Sequence, residues 1–196
     1  MKRLLAGTCI VMLFSFSPLY AGVPLDRVQA NVNKVLDVLR DPKLTAPSAK
    51  ETKKKRLRTI YDDMFNKVEL SRRTLAKNWN NLNAAQRQEF VQLFQQVLEK
   101  AYINKILAYT NEKIVFDKET MLSENQVEIH SRVITSSKAI PISYRMILME
   151  SAWKVYDVVV ENVSLVQNYR TQFNDILAKN KTEELLEILR KKVKEQ

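Results

Sequence analysis

Apolar positions recur along this chain at two periods, and the changes between them divide it into three stretches. Between residues 24 and 109 the spacing is helical. Val28, Val32, Val35, Leu36 and Leu39 make one stripe, opened by Pro24 at a first turn and stopped by Asp41 and Pro42. After a loop over residues 43–49, a second helix is expected over residues 50–65, with Leu57, Ile60, Tyr61, Met64 and Phe65 inward. A short helix is expected over residues 71–79. Asn83 and Gln86 then read as a capping box, with an amide at the N-cap and a glutamine three residues on. The longest helix follows, to residue 109. Phe90, Leu93, Phe94, Val97, Leu98, Ala101 and Tyr102 keep one of its faces apolar for several turns, so it is expected to be the main helix against a sheet.

Past residue 109 the period becomes two. Residues 113–116 read as a short strand. Over residues 126–135, Val127, Ile129, Ser131 and Val133 alternate with Glu128, His130 and Arg132. A turn at residues 136–138 leads to a second alternation, Ile140, Ile142, Tyr144, Met146 and Leu148 against Ser143, Arg145 and Ile147. Pro141 has no N–H to give and belongs at a strand start or an edge. The strand over residues 153–160 directs Trp153, Val155, Asp157 and Val159 one way and Lys154, Tyr156, Val158 and Val160 the other. Apart from Asp157 and Lys154 both faces are apolar, so this strand needs cover on both sides. Beyond a turn at residues 161–164 the helical period returns, in Val166, Tyr169, Phe173, Ile176 and Leu177. A last helix over residues 182–194 turns Leu185, Leu186, Leu189 and Val193 inward. Helices, then a meander, then helices imply an α+β fold: an antiparallel β-meander sheet cupped by N-terminal and C-terminal helices.

Composition narrows the chemistry. A chain of 196 residues is long enough for one domain with a real core. Its first 21 residues stand apart: Lys2 and Arg3, then an apolar run over residues 4–16 too short to span a bilayer, then Ala21 as a small residue at a cut. That is the pattern of a cleaved secretory signal peptide, leaving residues 22–196 as a single domain. The only cysteine, Cys9, leaves with it, and with it any disulfide, thiol nucleophile or thiolate metal site. Loss of Lys2 and Arg3 takes the formal charge from +10 to +8. A secreted basic protein suits anionic lipid surfaces or acidic protein partners better than nucleic acid. The basic residues are densest at Lys50, Lys53, Lys54, Lys55, Arg56 and Arg58, either a contact for anionic groups or a solvated helix face. The only glycines are Gly7 and Gly22, so phosphate-cradling loops, dinucleotide fingerprints and nucleophile elbows are excluded.

Little catalytic chemistry is on offer. His130 is the only histidine, which excludes a multi-histidine metal site. Asp62 and Asp63 are adjacent on a helix and do not face one site. Asp157, an acid in an apolar strand, is either a general base or a hydrogen-bonded acid that orders the strand end, pairing Arg170 or Lys154. Tyr169 and Arg170 lie just inside a helix after a buried strand, a place from which the arginine holds a phosphate or carboxylate, or makes a structural salt bridge.

Two blocks of residues carry a family resemblance. One contains Leu75, Trp79, Gln86, Arg87, Phe90, Phe94, Leu98 and Tyr102. The other contains Tyr156-Asp157-Val158, Glu161 ahead of Val163-Ser164-Leu165-Val166, then Asn168-Tyr169-Arg170 and Gln172-Phe173. In this order they resemble the MlaC/toluene-tolerance family of periplasmic phospholipid-binding proteins, over residues 24–189. The chain departs from the family at Asn66, where an aspartate is usual, and at Ala76 and Asn162, where glycine is usual.

The resemblance implies a lipid carrier and no enzyme. Phospholipid is its cargo, no cofactor is needed, and both acyl chains enter an apolar pocket between sheet and helices. Its partners would be an inner-membrane ABC transporter, met through its substrate-binding ring, and an outer-membrane lipoprotein complex. Its role would be to maintain outer-membrane asymmetry. The physical demand is large: two acyl chains carry roughly thirty methylenes at ~0.8 kcal/mol each, on the order of 20 kcal/mol against water. The candidate wall is Phe90, Phe94, Val97, Leu98 and Tyr102 from the long helix, with Ile60 and Met64 from the second. The sheet adds Val127, Ile129, Ile142, Tyr144, Met146, Leu148 and Val158, among which Met146 adapts to chains of varied length. Arg170 and Tyr169 are candidates for the headgroup or for structure. Two other roles remain open: a periplasmic adaptor binding proteins through the basic 50–58 face, and a small cone-shaped enzyme using Asp157.

Overall fold

The computed structural model describes residues 23–109 and 112–195; the segment read as a signal peptide lies outside the described residues. Helix α1 (Val23–Arg40) buries Val28, Val32 and Leu36, spaced by four. Two 3₁₀ turns, Pro42–Leu44 and Pro47–Ala49, lead to α2 (Lys50–Met64). Arg27 reaches Asp63, and the Lys53 ammonium donates to the Leu39 carbonyl, so α1 and α2 run antiparallel. The Asn66 side chain accepts from the Glu69 N–H and opens α3 (Lys67–Leu75), which continues as a 3₁₀ segment over Ala76–Asn81. The capping box read from Asn83 and Gln86 is present, with both reciprocal bonds, at the start of α4 (Ala84–Leu107).

The sheet has five strands in sequence order, each antiparallel to the next: β1 (Lys113–Ser123), β2 (Gln126–Ile134), β3 (Ala139–Met149), β4 (Ala152–Val160) and β5 (Val163–Ser164). Register shifts separate it from the alternation read in the sequence, two of them in β1 and one in β4. In β1 the register slips between Phe116 and Lys118, so the strand runs on past the residue where the period fails. In β4, Met146 pairs with Val155 and Arg145 with Asp157, leaving Tyr156 as the extra residue. A single extra residue moves everything beyond it to the other face. Trp153, Val155 and Val158 therefore share the inner face, and Asp157 lies opposite with Arg145. The simple alternation had grouped Asp157 with Val155 and set Val158 against them.

The tight turns take left-handed backbone without glycine. Glu150 and Ser151 join β3 to β4 with φ of 49° and 66°, and Glu161 and Asn162 join β4 to β5 with φ of 48° and 66°. Two successive residues at positive φ match the twist of paired strands. Ala76 also has positive φ, at 50°. Ala76 and Asn162 are the positions where the resembled family usually has glycine.

Two cores result. In the first, α1 lies over the inner face of the sheet: Val28, Val32 and Leu36 meet Val127, Ile129, Met146, Trp153 and Val155, with Met64 of α2 at the side. Glu119 of β1 accepts the Leu25 N–H at 3.3 Å and fixes the start of α1. The second core is helical. α4 does not serve as the main helix against the sheet; it packs chiefly on α6 (Thr182–Glu195) and α3. Phe90 and Phe94 are fully buried against Tyr169 and Phe173 of α5 (Leu165–Leu177), with ring centroids 4.9 Å apart for Phe94–Tyr169 and 5.3 Å for Phe94–Phe173. The C-terminal helices supply the cover that the sheet was expected to give. Phe65 packs against both cores and bridges to Val155 of β4.

A polar network ties α3 to the strands. Glu69, 6% exposed, accepts from Arg72 at 2.8 Å and from Arg73 at 2.7 Å. The Arg73 guanidinium lies 3.8 Å from the centroid of the Tyr156 ring, and the Tyr156 hydroxyl donates to Gln126 at 3.0 Å. Burial pulls the Glu69 carboxyl up, but the two arginines outweigh it and hold it below its ordinary 4.5. A depressed carboxyl contributes stability above its unfolded value and loses it as pH falls through the folded one. The stability difference between wild type and Glu69→Gln, read from denaturant midpoints, is therefore expected to shrink as pH drops below 4.5. A difference that stays constant down to about pH 3 would contradict the pairing.

Candidate functional site

Cover over the inner face of the sheet is uneven. Beneath α1, Val127, Ile129, Met146 and Val155 are completely buried. Toward the end where β1 begins and β4 stops, Ile114, Phe116, Val133, Ile140, Ile142, Tyr144 and Val158 are only half-buried, and Val160 is 40% exposed. The apolar face thus extends past the helix that covers it. One polar pair interrupts it. Ser131, 3% exposed, donates to the Ile142 carbonyl at 2.8 Å, and Tyr144 lies beside it.

Two tyrosines have an unusual setting. Burial pushes the Tyr144 hydroxyl up to about 12, against a smaller opposing effect of the Ser131 hydroxyl, yet the side chain is only half-buried. Tyr61 of α2, stacked on Phe65 at 4.5 Å, is likewise raised, first by burial and then by the charges of Asp62 and Glu99, and it too keeps accessible surface.

The structure separates the sequence-derived wall into two groups. Met64, Val127, Ile129, Tyr144, Met146, Leu148 and Val158 come together over the inner face, and Ile142 follows Tyr144 on the same side of β3. Ile60 is half-buried on α2. Phe90, Phe94, Val97, Leu98 and Tyr102 belong instead to the helical core with Tyr169. Val28, Val32 and Leu36 of α1 and Ile114 and Phe116 of β1 complete the inner-face group and were absent from the wall. Their apolar stripes are plain in the sequence; which sheet face they meet is not.

The polar candidates fall outside this face. Asp157, 2% exposed, accepts from the Ser164 hydroxyl at 2.6 Å, the Val166 N–H at 3.0 Å and Arg145 at 3.3 Å. It closes the β4-to-α5 turn, so it is the acid that orders the strand end, with Arg145 in place of Arg170 or Lys154. Arg170 donates to the Arg73 carbonyl at 2.9 Å and to Gln167 at 3.3 Å, tying α5 to α3. Burial raises the Tyr169 hydroxyl to about 12. His130 sits between the Thr120 and Ser143 hydroxyls on the polar face. Asp62 engages Lys67 and Gln95, whereas Asp63 engages Arg27 and Lys154. Among the described residues there is no cluster of three or more potential metal ligands, and no helix is long and apolar enough to cross a membrane.

This arrangement, a meander sheet with α1 over one face and a helical core at its last strand, is shared with known proteins. A phospholipid-binding protein from Ralstonia solanacearum, solved in complex with a phospholipid, superposes with a TM-score of 0.76 over 87% of this chain and 96% of that one, at 18% identity, a likeness of fold. The chain belongs to the MlaC family, whose model, described as MlaC protein, matches residues 29–191. It is 28% identical over 139 residues to the intermembrane phospholipid transport system binding protein MlaC of Haemophilus influenzae, covering 66% of this chain and 65% of that relative's length. It is 24% identical over 184 residues to toluene tolerance protein ttg2D of Pseudomonas putida, covering 92% of this chain and 86% of that protein.

Proposed function

We propose that this protein is a periplasmic phospholipid carrier that holds acyl chains between the inner face of the sheet and helices α1 and α2. The observation that carries the reading is the apolar inner face itself, which runs out past α1 with Ile114, Phe116, Ile142, Tyr144 and Val158 only half-buried. Family membership and the names of the relatives support phospholipid as its occupant. In this reading the wall is Ile114, Phe116, Ile142, Tyr144 and Val158 from the sheet, Leu36 from α1, and Ile60, Tyr61 and Met64 from α2. Phe90, Phe94, Val97, Leu98 and Tyr102, sealed against other side chains, act as scaffold. Tyr169 and Arg170 serve the α3–α5 packing.

The finer parts of the proposal follow from the family. Residues 1–21 are removed on secretion. The carrier exchanges lipid with an inner-membrane ABC transporter through its substrate-binding ring and with an outer-membrane lipoprotein complex, keeping the outer membrane asymmetric. No cofactor or catalytic step takes part. Ile142→Asp and Val158→Asp put a charge where acyl chains would lie, which several kcal/mol of desolvation opposes. Each variant is expected to keep its circular dichroism and to lose most of its co-purifying phospholipid. Folded variants with a full load of lipid would put the cargo elsewhere.

A further inference from the structure

We propose that the end of the molecule where α1 stops and α2 starts docks directly on anionic lipid bilayers. Four of the six clustered cations on α2 are engaged: Lys53 on the Leu39 carbonyl, Lys54 on Glu51, Arg56 on Asp41 and Arg58 on Glu99. Lys50 and Lys55, and Lys43 just before them, are exposed and make no side-chain hydrogen bond or salt bridge among the described residues, although Lys50 lies beside Glu51 and helps to lower its carboxyl. Arg40 donates to the Tyr109 hydroxyl at 2.7 Å, which brings the end of α1 beside the end of α4 and the start of β1, and so beside Lys105 and Lys113. The acids at this end are Asp37, Asp41, Glu51, Glu99, Glu112 and Glu161; Asp41, Glu51, Glu99 and Glu161 are paired with a cation, and Glu112 is engaged as well. The surplus is positive.

Aliphatic side chains stand out at the same end. Ile106 is 41%, Val160 40% and Val163 59% exposed. Unpaired lysines around protruding aliphatics fit a bilayer interface, where the charges meet anionic headgroups and the aliphatics enter the acyl boundary. The opposite end also exposes apolar residues, Met121, Leu122 and Met149, but Glu124 and Glu150 flank them and oppose an anionic surface. This contrast selects the end. That cargo leaves by the same end, where the inner face is half-open, rests on the carrier reading; the docking does not.

The test is flotation of purified protein with vesicles of phosphatidylglycerol and phosphatidylethanolamine in equal parts, beside vesicles of phosphatidylcholine alone. Binding is expected only to the first, and is expected to fall as salt shortens the range of charge. The triple variant K43Q/K50Q/K55Q is expected to bind about a hundredfold more weakly, and Val163→Asp about tenfold more weakly. Equal binding to both vesicles, binding to neither, or an unchanged triple variant overturns the proposal. So does retention on poly-glutamate without flotation, which assigns this end to an acidic protein. Phospholipid analysis of the same preparation separates the two readings. Loaded protein that does not float removes the docking alone, and floating protein without lipid removes the carrier alone.

Discussion

Asp157→Ala is expected to lower folding stability by about 3–5 kcal/mol, read as a large drop in the denaturant midpoint. The carboxylate is buried and collects three donors: the Ser164 hydroxyl, the Val166 N–H and Arg145. Its removal strands the Val166 N–H at the start of α5 and frees an arginine whose remaining acidic partner is Glu128. It also loosens the turn in which Glu161 and Asn162 hold positive φ. Asp157→Asn keeps an acceptor and should lose less. An Asp157→Ala protein that unfolds at the wild-type midpoint but has lost a measurable reaction would return this residue to the role of a base.

Phe94→Ala is expected to cost about 3–5 kcal/mol as well, with a different signature. Phe94 is completely buried and touches Phe90, Tyr169 and Phe173 at ring distances of 5.6, 4.9 and 5.3 Å. Truncation opens a cavity among aromatic rings, whose edge-to-face contacts add about 0.5–1.5 kcal/mol each. Because this core is separate from the inner face of the sheet, the surviving folded protein should still carry its phospholipid. A small loss of stability with a large loss of lipid would show that α4 lines the cargo after all.

The contrast between these residues shows what the sequence made legible. Helical stripes such as Val28, Val32 and Leu36, the capping box at Asn83 and Gln86, and the alternating runs of β2 and β3 all follow from local physics, and the elements they predict are present. The partners of those elements do not follow from local physics. α4 has the stripe of a sheet-covering helix, but α5 and α6, far later in the chain, offer it Tyr169, Phe173 and Leu189. The bulges at Asp117 and Tyr156 were equally hidden, since nothing in Val155-Tyr156-Asp157 marks which residue will be left unpaired. One extra residue reversed the facing of Asp157 and Val158, and so decided which of them belongs with the apolar wall. The family resemblance pointed to a kind of cargo; only the folded arrangement separates the wall residues that share the inner face of the sheet from those sealed in the helical core.

Organic extraction of the purified wild-type protein, followed by mass spectrometry, tests most directly whether the inner face of the sheet holds a lipid cargo. The carrier predicts near-stoichiometric phospholipid in the extract. An extract with no phospholipid, from protein that is folded and pure, would contradict it.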